Sequence, residues 1–256
     1  MKIERIVLPL LVAAILVVIW AFAVKTTGTK IFPSPVDVVK GVTALMQHGL
    51  LWSYIGDSLF RVACGYAAAA ILGVPVGLIL GWWAPLARAF NPLIQMLRPI
   101  SPLAWMPLAV IWFGVSNLAP IFLIFLSSFF PIVVATMNGV RNVPPMYVQA
   151  GRNFGLSASA LLGKVVFPAV LPRILTGLRI AFGIAWLVLV AAEMIAVDSG
   201  LGYLIIDARN AGKRYDLVVA GMLMIGVIGL VLDALIRRTE LIQSVRWAFR
   251  EEVSSR

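Results

Sequence analysis

Of the 256 residues, 61% are hydrophobic and 12% charged, against about 45–50% apolar and about 25% charged in a soluble globular domain; continuous rather than alternating apolar runs make this an all-α integral membrane protein. The formal net charge of +10 is spread through the connections, with no basic run interleaved with aromatics as single-strand binding requires, so it reads as topology-setting charge and nucleic acid is not a partner. One cysteine, Cys64, in an apolar segment, and one histidine, His48, in a loop where it reads as a solvated residue, supply neither a disulfide framework nor a zinc or other metal centre.

With about 20 residues per span, six spans and their connections fill the chain as a single domain, residues 1–256, and leave no room for a separate soluble one. The first span covers residues 6–23. Lys2 and Arg5 before it resemble a signal-peptide basic region, but the apolar run is too long and lacks a small-residue cleavage pattern, so it reads as retained. A polar connection carrying Pro33-Ser34-Pro35 and a helix-like stretch at residues 36–46 completes an N-terminal unit of residues 1–55. A five-span core, residues 56–240, follows. Its second span is expected at residues 58–83, the third at 92–115, the fourth at 118–140, the fifth at 170–197 and the sixth at 217–236. Pro99, Pro102 and Pro107 interrupt the third.

Gly73, Gly77 and Gly81 recur every fourth residue of the second span, a face on which another helix can approach closely. Trp82 and Trp83 read as interfacial anchors. With the N-terminus in the cytoplasm, 14 of the 21 Lys and Arg residues fall inside, which satisfies the positive-inside bias and makes both termini and residues 141–169 cytoplasmic. The tail, residues 241–256, mixes charges with Leu241, Val245, Trp247 and Phe249, as a segment lying along the inner headgroups does.

Residues 141–169 are the polar, glycine-punctuated exception among the apolar runs. Pro144 and Pro145 break the fourth helix, residues 146–162 are amphipathic, and Gly155 allows a bend between two short helical pieces. Pro168 is expected to end the second piece before the next span. Such a loop offers a rigid knob to a soluble partner.

The order Gln149-Ala150-Gly151, three residues, Gly155, nine residues, then Val165-Val166-Phe167-Pro168 resembles the cytoplasmic loop of permease subunits of binding-protein-dependent ABC importers. There the pattern is Glu-Ala-Ala, three residues, Gly, nine residues, Ile-x-Leu-Pro. Gln149 departs from its Glu and Gly151 from its second Ala, while the spacing is intact. Leu97-Arg98-Pro99-Ile100-Ser101-Pro102, Ile111-Trp112-Phe113-Gly114, Thr176-Gly177-Leu178-Arg179-Ile180, Ala191-Ala192-Glu193-Met194-Ile195 and Gly200-Leu201-Gly202 look like the nitrate, sulfonate, taurine and bicarbonate branch of these permeases.

The resemblance implies a type I ABC importer core in a bacterial inner membrane. It implies as partners a second permease copy, two ATPase subunits and an external binding protein that delivers a small anion. ATP and Mg would be bound by the ATPase subunits and no cofactor by this chain. The chain's own nearest match to a phosphate-binding loop is Gly163-Lys164, which fails because Val165 stands where Ser or Thr must hold magnesium and Ala158 where the first Gly belongs.

Ionisable groups inside spans are functional candidates by default. Arg98 has two readings: a cation that attracts an anion to the pathway, or a boundary residue snorkelling to headgroups. Arg179 has the same two, with the structural one favoured. Glu193 and Arg61 fall at a similar depth near the outer side, where they can form a structural pair or an outer gate. Ser101, Trp105, Ser127 and Ser128 could line the route, although serines in spans more often bond to helix carbonyls. The rival functions are an ion-coupled secondary transporter or channel, which should show internal repeats around midplane charges, a lipid-modifying enzyme, and a purely structural subunit. None of them calls for a docking loop of this spacing.

Overall fold

The computed structural model describes residues 4–27, 32–47 and 49–239. His48, Lys2, Lys30 and the tail from residue 240 lie outside the described residues. Apolar surroundings offer the backbone no water, so each crossing must satisfy its own N–H and C=O groups. Among the described residues the fold is accordingly all helix. Five helices are long and apolar enough to cross a membrane, and a bent pair can supply a sixth crossing.

Helix α1 (Glu4–Thr27) stands apart, with every described side chain on it exposed or half-exposed. The expected helix-like stretch forms α2 (Pro35–Gln47). Ser34 starts it reciprocally with Asp37: the Ser34 hydroxyl donates to Asp37 Oδ2 at 2.7 Å, and the Asp37 N–H donates back to Ser34 Oγ. The Ser34 hydroxyl and the Ser34 N–H both donate to Asp37 Oδ2 and hold that carboxyl below its ordinary pKa.

The second span begins earlier than expected. Helix α3 (Leu50–Trp82) starts eight residues before residue 58, because Leu51 is fully buried with Leu45, Trp186 and Leu204 while Tyr54 and Ile55 pack on that cluster. An apolar count alone leaves these residues in the polar connection.

The third span is not one helix from residue 92. Helix α4 (Ala84–Leu97) leaves α3 at the extended corner of Trp83, a one-turn 3-10 segment covers Pro102–Trp105, and α5 (Met106–Phe113) follows. The two arms meet at 83°. Pro92 is tolerated inside α4, whereas Pro99 and Pro102 remove two donors: Arg98 keeps helical dihedrals as the last residue of the turn, with its N–H on Ile94 O, and Ser101 before Pro102 is extended.

Helix α6 (Leu118–Arg141) runs parallel to α3. Cβ atoms placed at Gly65, Gly73, Gly77 and Gly81 would meet Ile124, Ile132, Thr136 and Val140 at 2.5–3.0 Å, in that order, so the residue numbers of the two helices rise together. The glycine face of three positions thus extends to Gly65, with Ala69 continuing it. Parallel neighbours require the chain between them to return across the layer. The bent α4–α5 pair makes that return and, counted as one span, brings the candidate crossings to six among the described residues.

After α6 come α7 (Pro145–Asn153) and the short α8 (Ala158–Leu161), then a π turn at Leu162–Val166 that leads into α9 (Phe167–Ala196). Pro168 therefore does not end the second piece. It sits in the first turn of α9, directly after the π turn, and the apolar helix is continuous over Ala158–Ala196. Helix α9 is antiparallel to α6: Gly139 faces Val170, Gly177 faces Ala135, and Ile124 shares a cluster with Ala185 and Leu189. Residues 198–216, expected as an outer connection, contain α10 (Leu201–Gly212), whose Leu201, Leu204, Ile205 and Ala208 are buried. Helix α11 (Tyr215–Thr239) closes the described chain on the periphery.

Candidate functional site

Two regions at opposite ends of α3, α6 and α9 carry the functional candidates. At one end, α7 closes on itself through a Schellman cap. Gly155 takes a left-handed φ of 74°, its N–H donates to Arg152 O at 2.9 Å, and the Leu156 N–H reaches back to Gly151 O at 3.1 Å. Glycine is required at position 155 by its φ, since a Cβ there would point into open space. Gly151 is required for another reason. It is buried, and a Cβ would run into the Leu161 side chain and press Leu156 and Val165.

The motif residues thus divide. Gly151 and Val165 face inward and join α7 to the α8–α9 rod, while Gln149, Ala150, Gly155, Phe167 and Pro168 face outward. Phe154, at the cap position beside Gly155, is 87% exposed. A phenyl ring held out on a rigid turn, with its neighbours tied down by backbone hydrogen bonds, is the anchor that protein interfaces favour. Its position next to the motif Gly is the available signal in the sequence, and the spacing by itself does not single it out.

At the other end lies a buried polar hub. Arg61 on α3 is 1% exposed and Glu193 on α9 is 0% exposed, and Arg61 Nη1 donates to Glu193 Oε1 at 2.7 Å. Four of the five guanidinium N–H donors and both carboxylate oxygens are engaged. Arg61 Nη1 also donates to Ser199 O at 2.7 Å, Nη2 donates to Ser199 Oγ, and Nε donates to Asn117 Oδ1 at 2.9 Å. Ser58 Oγ lies 2.9 and 2.8 Å from the two Glu193 oxygens. Glu193 Oε2 accepts the Gly202 N–H at 3.0 Å, and Ser58 Oγ accepts the Leu201 N–H at 2.9 Å.

Those last two donors belong to the first turn of α10. Gly200 precedes it with no side chain to cap it, so Glu193 and Ser58 cap the helix from α9 and α3. Gly200 has φ 104°, and a Cβ on it would fall on the Glu193 carboxylate and Arg61 Nη1. Nothing local in the sequence marks Ser58, Asn117 or Ser199 as members of this shell. Gly200 and Gly202, seven and nine residues after Glu193, are the usable hint. Beyond the hub, Asp207 beside Tyr203 pushes that phenol above its ordinary pKa.

The remaining candidates are not gathered into one site. Arg98 and Ser101 are exposed at the α4–α5 break, and Trp105 is half-buried against Met106 and Ala119. Ser127 and Ser128 lie inside the helix packing. Ser127 donates to Ile124 O at 2.8 Å, and the Ser128 hydroxyl has no partner among the described residues. Arg179 forks onto Asp233 of α11, with Nε–Oδ1 at 3.0 Å and Nη2–Oδ2 at 3.2 Å.

Comparison with known proteins places this architecture. Residues 73–240 match the family described as binding-protein-dependent transport system inner membrane component. The chain is 41% identical to a nitrate import permease protein of Leptolyngbya laminosa over 190 residues, covering 74% of this chain and 67% of that protein. It is 35% identical to a taurine transport system permease protein of Escherichia coli K12 over 229 residues, covering 86% and 82%. Among solved structures, an inward-facing MetNI methionine ABC transporter shares the fold, with a TM-score of 0.59 and 18% identity, covering 74% of this chain and 95% of that one.

Proposed function

The chain belongs to the family of binding-protein-dependent transport system inner membrane components, and from that premise we propose that it is the membrane-spanning subunit of an ATP-driven importer for a small anion, nitrate-like or sulfonate-like. Two copies enclose the route, two ATPase subunits carry ATP and Mg, and an external binding protein delivers the solute at the hub end. The N- and C-termini and residues 141–169 face the cytoplasm of a bacterial inner membrane, as the Lys/Arg distribution favours. The chain itself makes and breaks no covalent bond.

The observation that carries this reading is the construction of residues 145–168. An exposed Phe154 stands on a glycine-capped turn, and the buried Gly151 locks that turn against Leu161 at the foot of the continuous 158–196 helix. A push on the turn is therefore delivered to a rod that crosses the whole layer, which is the coupling an ATPase closing beneath it needs. The anion class rests on the names of the nitrate and taurine relatives.

Affinity purification from the native membrane tests the reading. An ATPase subunit is expected to accompany the chain and to be released by Gly155→Trp, while the variant still inserts. A chain that emerges alone, or a Gly155→Trp variant with normal uptake, would count against coupling and favour an ion-driven carrier.

A further inference from the structure

Arginines within the layer differ in how they are neutralised. Arg61 is paired with Glu193 and Arg179 with Asp233. Arg98 is exposed, and among the described residues its side chain has neither an ion pair nor a hydrogen bond.

Its depth follows from its neighbours in sequence. Ile94, one helical turn earlier, packs with Leu80, Val133 and Met137. Met106, eight residues later, packs with Ala119 and Leu123. Arg98 thus stands at a level between Leu123 and Val133, the middle of α6 (Leu118–Arg141). From the midplane, about 15 Å of hydrocarbon lies toward either face, farther than an arginine can snorkel. The backbone supports the same conclusion. Arg98 closes the last turn of α4, residues 99–101 that follow it are not helical, and irregular backbone at membrane depth persists only where protein covers it or water reaches it. Pro99 and Pro102 lighten that demand by removing two N–H donors.

We propose that Arg98 faces the water-filled route and is the positive site that carries a small oxyanion past the membrane midpoint, with Ser101 beside it on the same break. The proposal rests on the transport reading above and adds the charge preference of the route. A guanidinium presents paired N–H donors that match the oxygens of a nitrate or sulfonate group. Nothing else described at this level has an unmatched charge to offer such a group.

The test exploits the single cysteine. In a Cys64→Ser background, Ser101→Cys is exposed to an anionic and a cationic methanethiosulfonate, using the full chain with its co-purifying subunits in native-lipid vesicles, with and without ATP. Modification is expected in at least one of the two conditions. The anionic-to-cationic rate ratio is expected to fall at least about threefold when Arg98→Gln is added, and to hold with Arg98→Lys, since one charge at this separation matters even in a water-like dielectric. A thiol that reacts in neither condition, or a ratio that Arg98→Gln leaves unchanged, overturns the proposal. If no ATPase accompanies the chain, the importer reading falls while the rate ratio still decides the role of Arg98.

Discussion

The two ends of the molecule are closed by opposite means. At the hub end, side chains from α3, the cap residue before α6, α9 and the turn before α10 converge on Arg61 and Glu193, and residues as far apart as 143 positions hold each other. At the loop end, closure is local: the Gly155 and Leu156 amides return to Arg152 and Gly151 within the same turn. The first arrangement fixes four elements to one another. The second stiffens a short knob while leaving its outer face free. A transporter that moves needs both kinds of closure, one where elements must travel as a unit and one where a partner must grip.

Damage at the hub should therefore register as lost stability, and damage at the loop as lost coupling. The largest effect is expected from Glu193→Ala, which strands a buried guanidinium at a cost of about 3–5 kcal/mol. Thermal unfolding in detergent should show it, and adding Arg61→Met should recover part of the loss. If the double variant is no better than the single, the hub is not one coupled unit. Gly200→Ala comes next, because φ 104° and the neighbouring carboxylate oppose any side chain. About 1–3 kcal/mol is expected, visible as earlier exchange of the α10 amides.

Gly155→Ala should cost only about 1–2 kcal/mol, since its Cβ meets nothing, yet it should weaken retention of the ATPase subunit in pull-down. Phe154→Ser is the sharpest discriminator. Its effect on stability should stay within about 0.5 kcal/mol, while transport coupling falls, as read by ATPase stimulation in vesicles. A Phe154→Ser chain that melts early, or that couples normally, would erase the distinction drawn between the two ends.

The loop is largely legible in the sequence. Pro144, Gly155 and Pro168 punctuate it locally, and the spacing from Gln149 to Pro168 is a property of consecutive residues. Pro168 reads as a terminator because a proline normally ends a helix, whereas the preceding π turn brings it into the first turn of α9. Similar depth along two spans suffices to pair Arg61 with Glu193. The serines, Asn117 and the α10 amides that complete their shell leave no such trace. Residues 50–58 look like connection because their burial comes from α2, α9 and α10 rather than from their own periodicity. The prolines mark the third span as broken, but its start at Ala84 is masked by Arg88, whose charge suggests a loop.

By itself the sequence determined the membrane class, six crossings, the glycine face of α3 and the outline of the docking loop. Each of these is set by composition or by spacing along one helix, where 3.6-residue periodicity and the cost of unsatisfied backbone leave little choice. Only the tertiary structure decided that α3 and α6 run parallel, that α10 is capped by Glu193 and Ser58, and that Arg98, unmatched among the described residues, stands level with the middle of α6. Those facts depend on which distant surfaces meet, and pairing across packed helices is encoded in shape and complementarity rather than in any local repeat.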